Sequence, residues 1–567
     1  MNKEETIDKL LGTLTLQEMI AQLMVLGYTG TFVEPELTEF IDKYGLGGLR
    51  TSPILARKFM RYLPAGSPGI KNVERQPSLR EKQFDMSINP WHVTPQEYAT
   101  TLNGLRTRAF TRRGLGLPMH VVVDYESGAA SNYLPKGMIA TPEAMAFGHH
   151  GDLNLIRETF FVVNRQLKAI GFDINQSPVV DVNTNPNNPE CYTRSFSEKT
   201  DVCIDCARGM LEVMKRANMI GCLKHYPGRG PSGEDAHFGL PVINLKREDL
   251  YRNHLEPYRI LAGENMIPSV MLAHTVYPAL DPSGEIATVS KRIIQGILRD
   301  EFGFDGVITT DSMTMGGLMA KYSVGEAAVL ALEAGVDLLL LKDENVLRYE
   351  LMDAVVRAVK SGRLSEGRIH QSLRRVWSLK YDYGLFANGG VVDVNAIEGE
   401  LMNPEYHRIG LKAARETLKL RRDNDKLLPL GKEEKILVVD TVLFVQKMQN
   451  DSWNHPGMLW EFMLKQSPSV AYMDYTADTM EDCHRRIETI IGQIDKIVVT
   501  ANFTRGEKCS GKDFVRSLKR YGKPIVMVST NPYEELLIPD DIGTVLVSYG
   551  LMRESSIAIS EYLYQGE

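Results

Sequence analysis

Short apolar runs alternate with helix-like segments along the first 345 residues of the chain. Nearly every position of these runs is apolar, which is typical of parallel strands that are covered on both faces. The strand–helix alternation predicts an α/β fold, and seven units predict a closed or nearly closed (β/α)8-like TIM barrel. The pattern does not place an eighth strand. The seven runs read YGLGGLR, MHVVVDYE, FDINQSPVVDV, IGCLKHY, PSVMLAHTV, DGVITTDS and VDLLLL.

Polar side chains stand at the carboxyl ends of these runs. They are Asp124, Lys224, His225, His274 and Asp311. In a barrel, the carboxyl ends of the strands converge on one face, where loops build the active site. Polar residues placed only for solubility would not follow this rule, so we predict a site at this face.

A second, smaller alternation follows the barrel pattern. Residues 343–385 are predicted to be helical, and the stretch FANGGVVDVN after them is typical of a linker. Four further runs read KILVVDTV, KIVVTANF, KPIVMVST and GTVLVSYG. We therefore predict a TIM-barrel-like catalytic domain over residues 1–385 and a C-terminal α/β sandwich domain over residues 386–567.

One segment departs from the barrel spacing. Residues 51–95 separate the first run from its helix and are rich in proline, glycine and basic residues. A long loop at the functional face often shapes substrate entry, although a solvated insertion without a role is an equally valid interpretation.

Composition narrows the function classes. The net charge of −7 gives no general reason to bind nucleic acid. The N-terminal segment lacks the apolar core of a signal peptide, and no run reaches the roughly 20 residues that span a bilayer, so we expect a cytoplasmic protein. Neither a metal nor an organic cofactor is expected, because clustered ligands and a phosphate-binding glycine loop are not found. The oligomeric state is left open.

The segment KHYPGRGPSGEDAHFGLP, residues 224–241, carries the most specific chemistry. Lys224 and His225 can donate hydrogen bonds to the hydroxyl groups of a ligand at a strand end. The glycine- and proline-rich run after them predicts a loop, which carries Asp235 and His237. A carboxylate beside an imidazole orients the ring and favours its protonated form, which suits a group that first gives and then takes a proton.

This segment resembles the K-H-F-P-G-H-G…D-S-H…P signature of glycoside hydrolase family 3, in its NagZ-type β-N-acetylglucosaminidase branch. The resemblance implies that His237 is the acid/base catalyst and that Asp235 assists it. The run LRDEFGFDGVITTDSMTMGGL resembles the strand that ends in the family's nucleophilic aspartate, here Asp311. Two further resemblances, in MLAHTVYPALD and SPVVDVNTNPNNPECYTRSFS, imply that His274 lines the pocket and that Arg194 contacts the sugar.

The sequence also departs from the family pattern. The family's D-x-E-G-G-R-V-Q-R reads DYESGAASN here, so Asp124 keeps its expected sugar-binding place while Ala129 and Asn132 replace arginines. Arg229 replaces the second histidine of the K-H-F-P-G-H-G run. These changes affect the prediction of the exact sugar and aglycone more than the prediction of the reaction.

The resemblance implies a retaining β-glycosidase that removes terminal β-N-acetylglucosamine from a small carbohydrate through a covalent glycosyl-enzyme. A histidine in place of a second carboxylate lowers the negative charge near the incoming nucleophile, so phosphate could replace water and phosphorolysis stays open. A β-glucosidase or xylosidase of the same family is another alternative. From a different class, the chain could be a sugar-binding protein that has lost catalysis.

Overall fold

The computed structural model describes residues 2–29, 33–52, 94–128, 135, 137–342, 347–442, 455–502, 511–534 and 536–566. Nearly all of the basic insertion over residues 51–95 lies outside the described residues, as do Ala129 and Asn132. Among the described residues, no helix is long and apolar enough to cross a bilayer.

Within the described ranges, eight parallel strands form the first sheet. They are β1 (Met24–Thr29), β2 (Gly48–Ser52), β3 (His120–Val123), β4 (Ile174–Asn175), β5 (Ile220–Tyr226), β6 (Ser269–Leu272), β7 (Val307–Thr310) and β8 (Leu339–Leu341). The strand order is β7-β6-β5-β4-β3-β2-β1-β8. A parallel bridge between Thr309 of β7 and Leu338, next to β8, brings the two edges together. The sheet is therefore a nearly closed barrel, and the predicted fold class is confirmed.

The strand that the sequence pattern did not place is β1. It follows the helix Leu16–Gln22 after a single residue and pairs with β2 on one side and β8 on the other. The apolar run MVLGYT follows the apolar residues of that helix directly. No turn residues mark the point where the helical pattern ends and the strand pattern begins, so the strand could not be recognised. The seven predicted runs correspond to β2 through β8.

Burial explains why these runs are continuously apolar. All seven residues of β5 are buried, and so is every residue of β3, β6, β7 and β8. Strands of this kind lie between a filled barrel interior and an outer layer of helices, so both of their faces need apolar side chains.

Helix starts follow recognisable signals. Asn2, Thr15 and Thr94 each accept a hydrogen bond from the backbone N–H of a glutamate three residues later, whose carboxylate bonds back to the cap. The α-helices of the described chain are Lys3–Leu11, Leu16–Gln22, Pro35–Tyr44, Pro95–Thr111, Ala144–His150, Leu153–Ile170, Thr200–Arg216, Arg247–Asp249, Glu256–Gly263, Gly316–Met319, Val324–Ala334, Leu347–Lys360, Glu366–Asp382, Leu385–Asn388, Ile397–Leu401, Pro404–Thr417, Met458–Gln466, Met480–Glu488, Gly511–Ser517 and Arg553–Gln565. Wider π-helical turns span Leu250–Leu255 and Arg292–Glu301. Short 3-10 segments span Arg112–Gly114, Tyr192–Arg194, Ala287–Val289, Val394–Ala396, Ile491–Gln493 and Leu518–Tyr521.

The second sheet is mixed and has six strands in the described part of the chain. They are β9 (Lys419–Asp423), β10 (Ile436–Thr441), β11 (Val470–Tyr475), β12 (Lys496–Ala501), β13 (Ile525–Ser529) and β14 (Thr544–Val547), in the order β11-β10-β12-β13-β14-β9. Only β9 runs antiparallel to its neighbour among these strands. The predicted strands correspond to β10, β12, β13 and β14, whereas the edge strands β9 and β11 were not predicted.

The chain folds into two compact units. The first unit comprises Met1–Tyr125, Phe160–Asn188 and Glu198–Glu400, and it contains the barrel strands. The second unit comprises Glu126–Thr159, Pro189–Ser197 and Leu401–Glu567, and it contains the second sheet. The domain boundary between residues 385 and 386 stays a prediction.

Candidate active site

The carboxyl ends of four barrel strands carry the predicted polar side chains. Asp124 follows β3 directly, and Asp311 follows β7 directly. Lys224 and His225 lie near the end of β5, and His274 lies two residues beyond β6. The structure thus brings these five residues to the same end of one barrel.

The Asp124 carboxylate is held by two cations. Arg50 of β2 donates from Nη2 to Oδ2 at 3.0 Å, and Lys224 Nζ donates to Oδ1. Lys224 is buried, whereas the Asp124 side chain is 32% exposed. The two charge-assisted contacts fix the carboxylate as an ionised acceptor, which suits recognition of hydroxyl groups.

His225 takes part in an internal network. Its Nδ1 lies 2.7 Å from Asp181 Oδ2, and its Nε2 lies 2.8 Å from Arg229 Nη2. A guanidinium can only donate, so Nε2 accepts and the ring proton sits on Nδ1, where it is donated to Asp181. The imidazole of His225 is therefore neutral in this arrangement, with both nitrogens engaged by the protein.

Asp311 lies beside the same arginine. Arg229 Nη1 is 3.9 Å from Asp311 Oδ2, and the Ser312 N–H donates to Oδ1 at 2.7 Å. Burial raises the pKa of Asp311, but the Arg229 guanidinium, together with the neighbouring imidazoles and the Ser312 N–H, outweighs it and leaves the pKa below its ordinary value. Asp311 is consequently a carboxylate at neutral pH, as a nucleophile must be.

His274 holds the backbone next to Asp311. Its Nε2 donates to the Ser312 carbonyl at 2.9 Å, and its Nδ1 lies 2.8 Å from Thr288 Oγ1. Burial lowers the pKa of His274, which favours the neutral ring. In this structure both ring nitrogens contact protein atoms, so the imidazole braces the segment that presents Asp311.

The loop after β5 carries the carboxylate–imidazole pair. His237 Nδ1 lies 2.8 Å from Asp235 Oδ1, and the same oxygen accepts the His237 backbone N–H at 2.8 Å. Because a carboxylate accepts, Nδ1 carries a proton and Nε2 is the nitrogen that can gain and lose one. The His237 side chain is 28% exposed, so it is partly accessible to solvent.

Backbone packing joins this loop to the segment after Asp311. The Gly317 N–H donates to the Ala236 carbonyl at 2.9 Å. A Cβ on Gly316 would lie 2.7 Å from the His237 carbonyl oxygen, so only glycine permits this approach. The candidate proton donor and the candidate nucleophile therefore stand on loops that touch each other.

Arg194 lies in the second unit. Its Nε and Nη2 donate to the two carboxylate oxygens of Glu126 at 2.6 and 2.7 Å, and its Nη1 donates to the Glu190 carbonyl at 2.7 Å. Both side chains of this bidentate pair are buried. The predicted contact of Arg194 with a sugar stays a prediction.

Comparison with known proteins identifies the family. The profile described as "Glycosyl hydrolase family 3 N terminal domain" matches residues 71–379, which is more than half of the chain. The chain belongs to glycoside hydrolase family 3. The predicted membership of family 3 is thereby confirmed, and the relatives below support its NagZ-type branch.

Three proteins similar to the chain are 26–30% identical to it over the aligned residues. "Beta-hexosaminidase A" of Pseudoalteromonas piscicida is 28% identical over 334 residues, and the match covers 55% of this chain and 55% of that relative. "Beta-hexosaminidase" of Bordetella avium is 30% identical over 244 residues, covering 42% of this chain and 69% of the relative. A solved family 3 β-N-acetylglucosaminidase from Paenibacillus sp. str. FPU-7 has a TM-score of 0.82 at 26% identity and covers 97% of both chains.

The sequence patterns did not identify two residues of the candidate site. Arg50 is the last residue of the run YGLGGLR, and Asp181 lies within SPVVDV. Each is a charged residue at or near the end of an apolar run, which is the signal that identified Asp124 and Asp311. Their partners Asp124 and His225 lie far away in sequence, so only the fold shows what these charges do.

Proposed function

We propose that this chain is a retaining β-N-acetylglucosaminidase that removes terminal β-N-acetylglucosamine from oligosaccharides or cell-wall fragments. One observation carries the proposal. An ionised aspartate beside a buried guanidinium and an aspartate-bound imidazole stand on touching loops at the carboxyl end of one barrel. A carboxylate nucleophile with a separate proton donor is the requirement for glycoside cleavage with retention.

In the first step, a carboxylate oxygen of Asp311 attacks the anomeric carbon. The bond to the leaving oxygen breaks, and that oxygen takes the proton from Nε2 of imidazolium His237. Asp235 keeps the proton on Nδ1 and stabilises the imidazolium before transfer. The products are a glycosyl ester on Asp311, neutral His237 and the released aglycone.

In the second step, water attacks the anomeric carbon while neutral His237 accepts its proton at Nε2. The electron pair of the ester bond returns to Asp311, which leaves as a carboxylate. Two displacements at the same carbon restore the original configuration. Both groups return to their starting protonation states.

Asp124, oriented by Arg50 and Lys224, is proposed to accept hydrogen bonds from hydroxyls of the non-reducing sugar. His225 and His274 are proposed to line the site by holding its charged groups in place rather than by donating to the sugar, since their ring nitrogens contact protein atoms. The names of the hexosaminidase relatives support N-acetylglucosamine over glucose as the terminal sugar. A cytoplasmic location is kept as a prediction.

Turnover of p-nitrophenyl glycosides tests the proposal. The N-acetyl-β-glucosaminide is expected to have a higher kcat/KM than the β-glucoside. Asp311→Asn is expected to lower kcat/KM by roughly 10⁴-fold, and His237→Asn by about 10²–10⁴-fold on substrates with poor leaving groups. Matched controls are Asp305→Asn, whose side chain is 86% exposed, and His370→Asn, whose side chain is 36% exposed.

Other outcomes would favour the alternatives. Preference for the glucoside, with His237 dispensable and a glutamate of the second domain essential, would indicate a β-glucosidase. Turnover that requires inorganic phosphate and yields a glycosyl phosphate would indicate a phosphorylase. Sugar binding without turnover, and without a covalent adduct, would indicate a binding protein.

A further inference from the structure

Arg229 is the charged group whose position the proposed mechanism does not yet explain. It is fully buried, and its guanidinium lies between two carboxylates, with Nε 3.7 Å from Asp181 Oδ2 and Nη1 3.9 Å from Asp311 Oδ2. A guanidinium is strongly basic and stays charged in this environment. The site therefore places a permanent cation beside the candidate nucleophile.

Hydrogen bonds hold Arg229 both at its backbone and at its guanidinium. Its backbone N–H donates to Asp181 Oδ1 at 2.8 Å, and its Nη2 donates to His225 Nε2 at 2.8 Å. His225 donates its Nδ1 proton to Asp181, so Asp181 orients the imidazole ring. The Nε2 atom of that ring then accepts the hydrogen bond from Arg229 and holds the guanidinium in place. The cation is preorganised and does not need to move when Asp311 reacts.

The backbone of this loop is fixed as tightly as the side chain. Asn188 Nδ2 donates to the carbonyls of Arg229 and Gly230 at 2.8 and 2.9 Å. A Cβ on Gly230 would lie 1.8 Å from the Val182 carbonyl oxygen, so the chain passes here only because residue 230 is glycine. These contacts hold Arg229 at a set distance from Asp311.

We propose that Arg229 is the positioning residue of the nucleophile, keeping Asp311 ionised before attack and stabilising its carboxylate as the leaving group when the glycosyl-enzyme breaks down. This inference rests on the proposed function, because it takes Asp311 as the nucleophile. In the second step the C1–Oδ bond breaks, its electron pair returns to Asp311, water oxygen bonds to C1, and the water proton goes to His237. Negative charge thus develops on Asp311 next to Arg229.

Other titratable groups lie near Asp311 and also influence its ionisation. His237 lies on the same loop as Arg229, His274 follows β6, and the Cys222 thiol lies in β5. Burial raises the pKa of Cys222 to about 12, so this thiol is neutral. Arg229 is the one group among these that stays positively charged throughout the working pH range.

Two kinetic consequences follow for Arg229→Gln. An arginine within about 4–6 Å lowers a carboxyl pKa by about 1–3 units, so the acid limb of kcat/KM is expected to move up by at least about one pH unit. The glycosyl-enzyme is expected to persist longer, since the leaving carboxylate has lost its counter-charge. Arg229→Lys is expected to fall between wild type and Arg229→Gln, because an ammonium keeps the charge but not the planar guanidinium that contacts His225 and faces Asp311 at the same time.

The test uses 5-fluoro-N-acetylglucosaminyl fluoride, which retains the 2-acetamido group and forms a slowly hydrolysed ester. Fluoride leaves without needing a proton from His237, so the pH dependence of labelling reports the ionisation of Asp311 alone. Labelling rate, adduct half-life and the labelled peptide are measured for wild type, Arg229→Gln, Arg229→Lys and Arg252→Gln. Arg252 is the matched control, with a side chain that is 72% exposed.

The inference is supported if the pH of the acid limb and the half-life of the adduct both increase from wild type to Arg229→Lys to Arg229→Gln. Both quantities are expected to be unchanged in Arg252→Gln. Labelling of Asp311 with the same acid limb in wild type and Arg229→Gln overturns it while leaving the proposed function intact. Labelling of another residue overturns the proposed function instead. If Arg229→Gln does not fold, wild type decides: half-maximal labelling near pH 5 or above would overturn the inference, because Asp311 would then have a raised pKa.

Discussion

Neutralising Asp440 is expected to remove a pH-dependent decrease in the unfolding free energy of the second sheet. Asp440 lies near the carboxyl end of β10 and is only 3% exposed. Its Oδ1 accepts a hydrogen bond from Thr500 Oγ1 at 2.6 Å, and its Oδ2 accepts one from the Gly457 N–H at 3.2 Å. Burial nevertheless raises the pKa of Asp440 to about 6, because two neutral donors do not replace the hydration of a carboxylate.

The sign of the effect follows from proton linkage. An ordinary aspartate has a pKa of 3.8, so between this value and about 6 the folded state holds a proton that the unfolded chain has released. The free energy of unfolding therefore falls as the pH rises from about 4 to about 6. About two pKa units correspond to at most about 3 kcal/mol, at about 1.4 kcal/mol per unit.

Asp440→Asn tests this reasoning. The amide nitrogen cannot accept one of the two hydrogen bonds, which costs about 1 kcal/mol. The variant is expected to be more stable than wild type at pH 7 by up to about 2 kcal/mol, and to lack the fall between pH 4 and 6. Asp478→Asn, at an exposed carboxyl of the same sheet region, is the matched control.

Urea-dependent hydrogen exchange of peptides from β10 and β12 measures the opening of this sheet separately from the barrel. The quantity compared is the difference in unfolding free energy between wild type and variant at pH 4, 5, 6 and 7. A difference that does not change with pH would refute the reasoning, since it would show that Asp440 titrates alike in the folded and unfolded states.

Three further changes have expected outcomes. Gly316→Ala places a Cβ 2.7 Å from the His237 carbonyl oxygen, so kcat is expected to fall by at least about 10-fold with little change in Tm, as measured by turnover and thermal denaturation. Asp337→Asn removes the buried partner of Arg299 at 2.7 Å, and urea denaturation is expected to show a loss of about 3–5 kcal/mol. Lys380 is buried and its pKa is lowered to about 7 by burial, so the folded state releases a proton there that the unfolded chain keeps. The free energy of unfolding is therefore expected to rise between about pH 7 and 10 in wild type and not in Lys380→Met.

Two of these changes have a matched control variant. Gly104→Ala adds a methyl group where nothing lies within 4 Å, so it tests whether any alanine lowers kcat. Asp305→Asn removes an exposed carboxyl from an ion pair with Arg375, in contrast to the buried Asp337. Unchanged kcat in Gly316→Ala, or equal losses in the two aspartate variants, would contradict the packing and burial arguments. A pH-dependent rise that persists in Lys380→Met would assign it to another group.

With the exception of β1, the sequence predicted the strands that the fold buries on both sides. Strands that lie between the barrel interior and the helices need apolar side chains on both faces, which gives continuous apolar runs such as IGCLKHY. Such a run can be recognised without knowing which strands are its neighbours. Edge strands lack this signature. β9, with the sequence KLRRD, has a mostly exposed surface, and β11 is only half-buried, so both read as loop or helix from the pattern alone.

The candidate site could be predicted only as far as its motifs are local. Asp235 and His237 are two residues apart, and their contact follows from one loop. Arg50 and Asp124 are 74 residues apart, so nothing in the sequence links them before β2 and β3 are known to be neighbours. The basic insertion over residues 51–95 lies almost wholly outside the described residues, and its effect on substrate entry stays a prediction.

Two histidines of the site show why residue type and motif do not decide chemistry. His225 and His237 each direct Nδ1 towards an aspartate, at 2.7 and 2.8 Å. At Nε2 of His225 stands Arg229, a permanent donor, and a ring nitrogen facing a donor at 2.8 Å cannot carry a proton of its own. The guanidinium thereby confines His225 to its neutral state, although His225 has the same kind of aspartate partner as His237. A histidine beside an aspartate is therefore not by itself evidence of a proton carrier, because the group at the other ring nitrogen also sets what the imidazole can do.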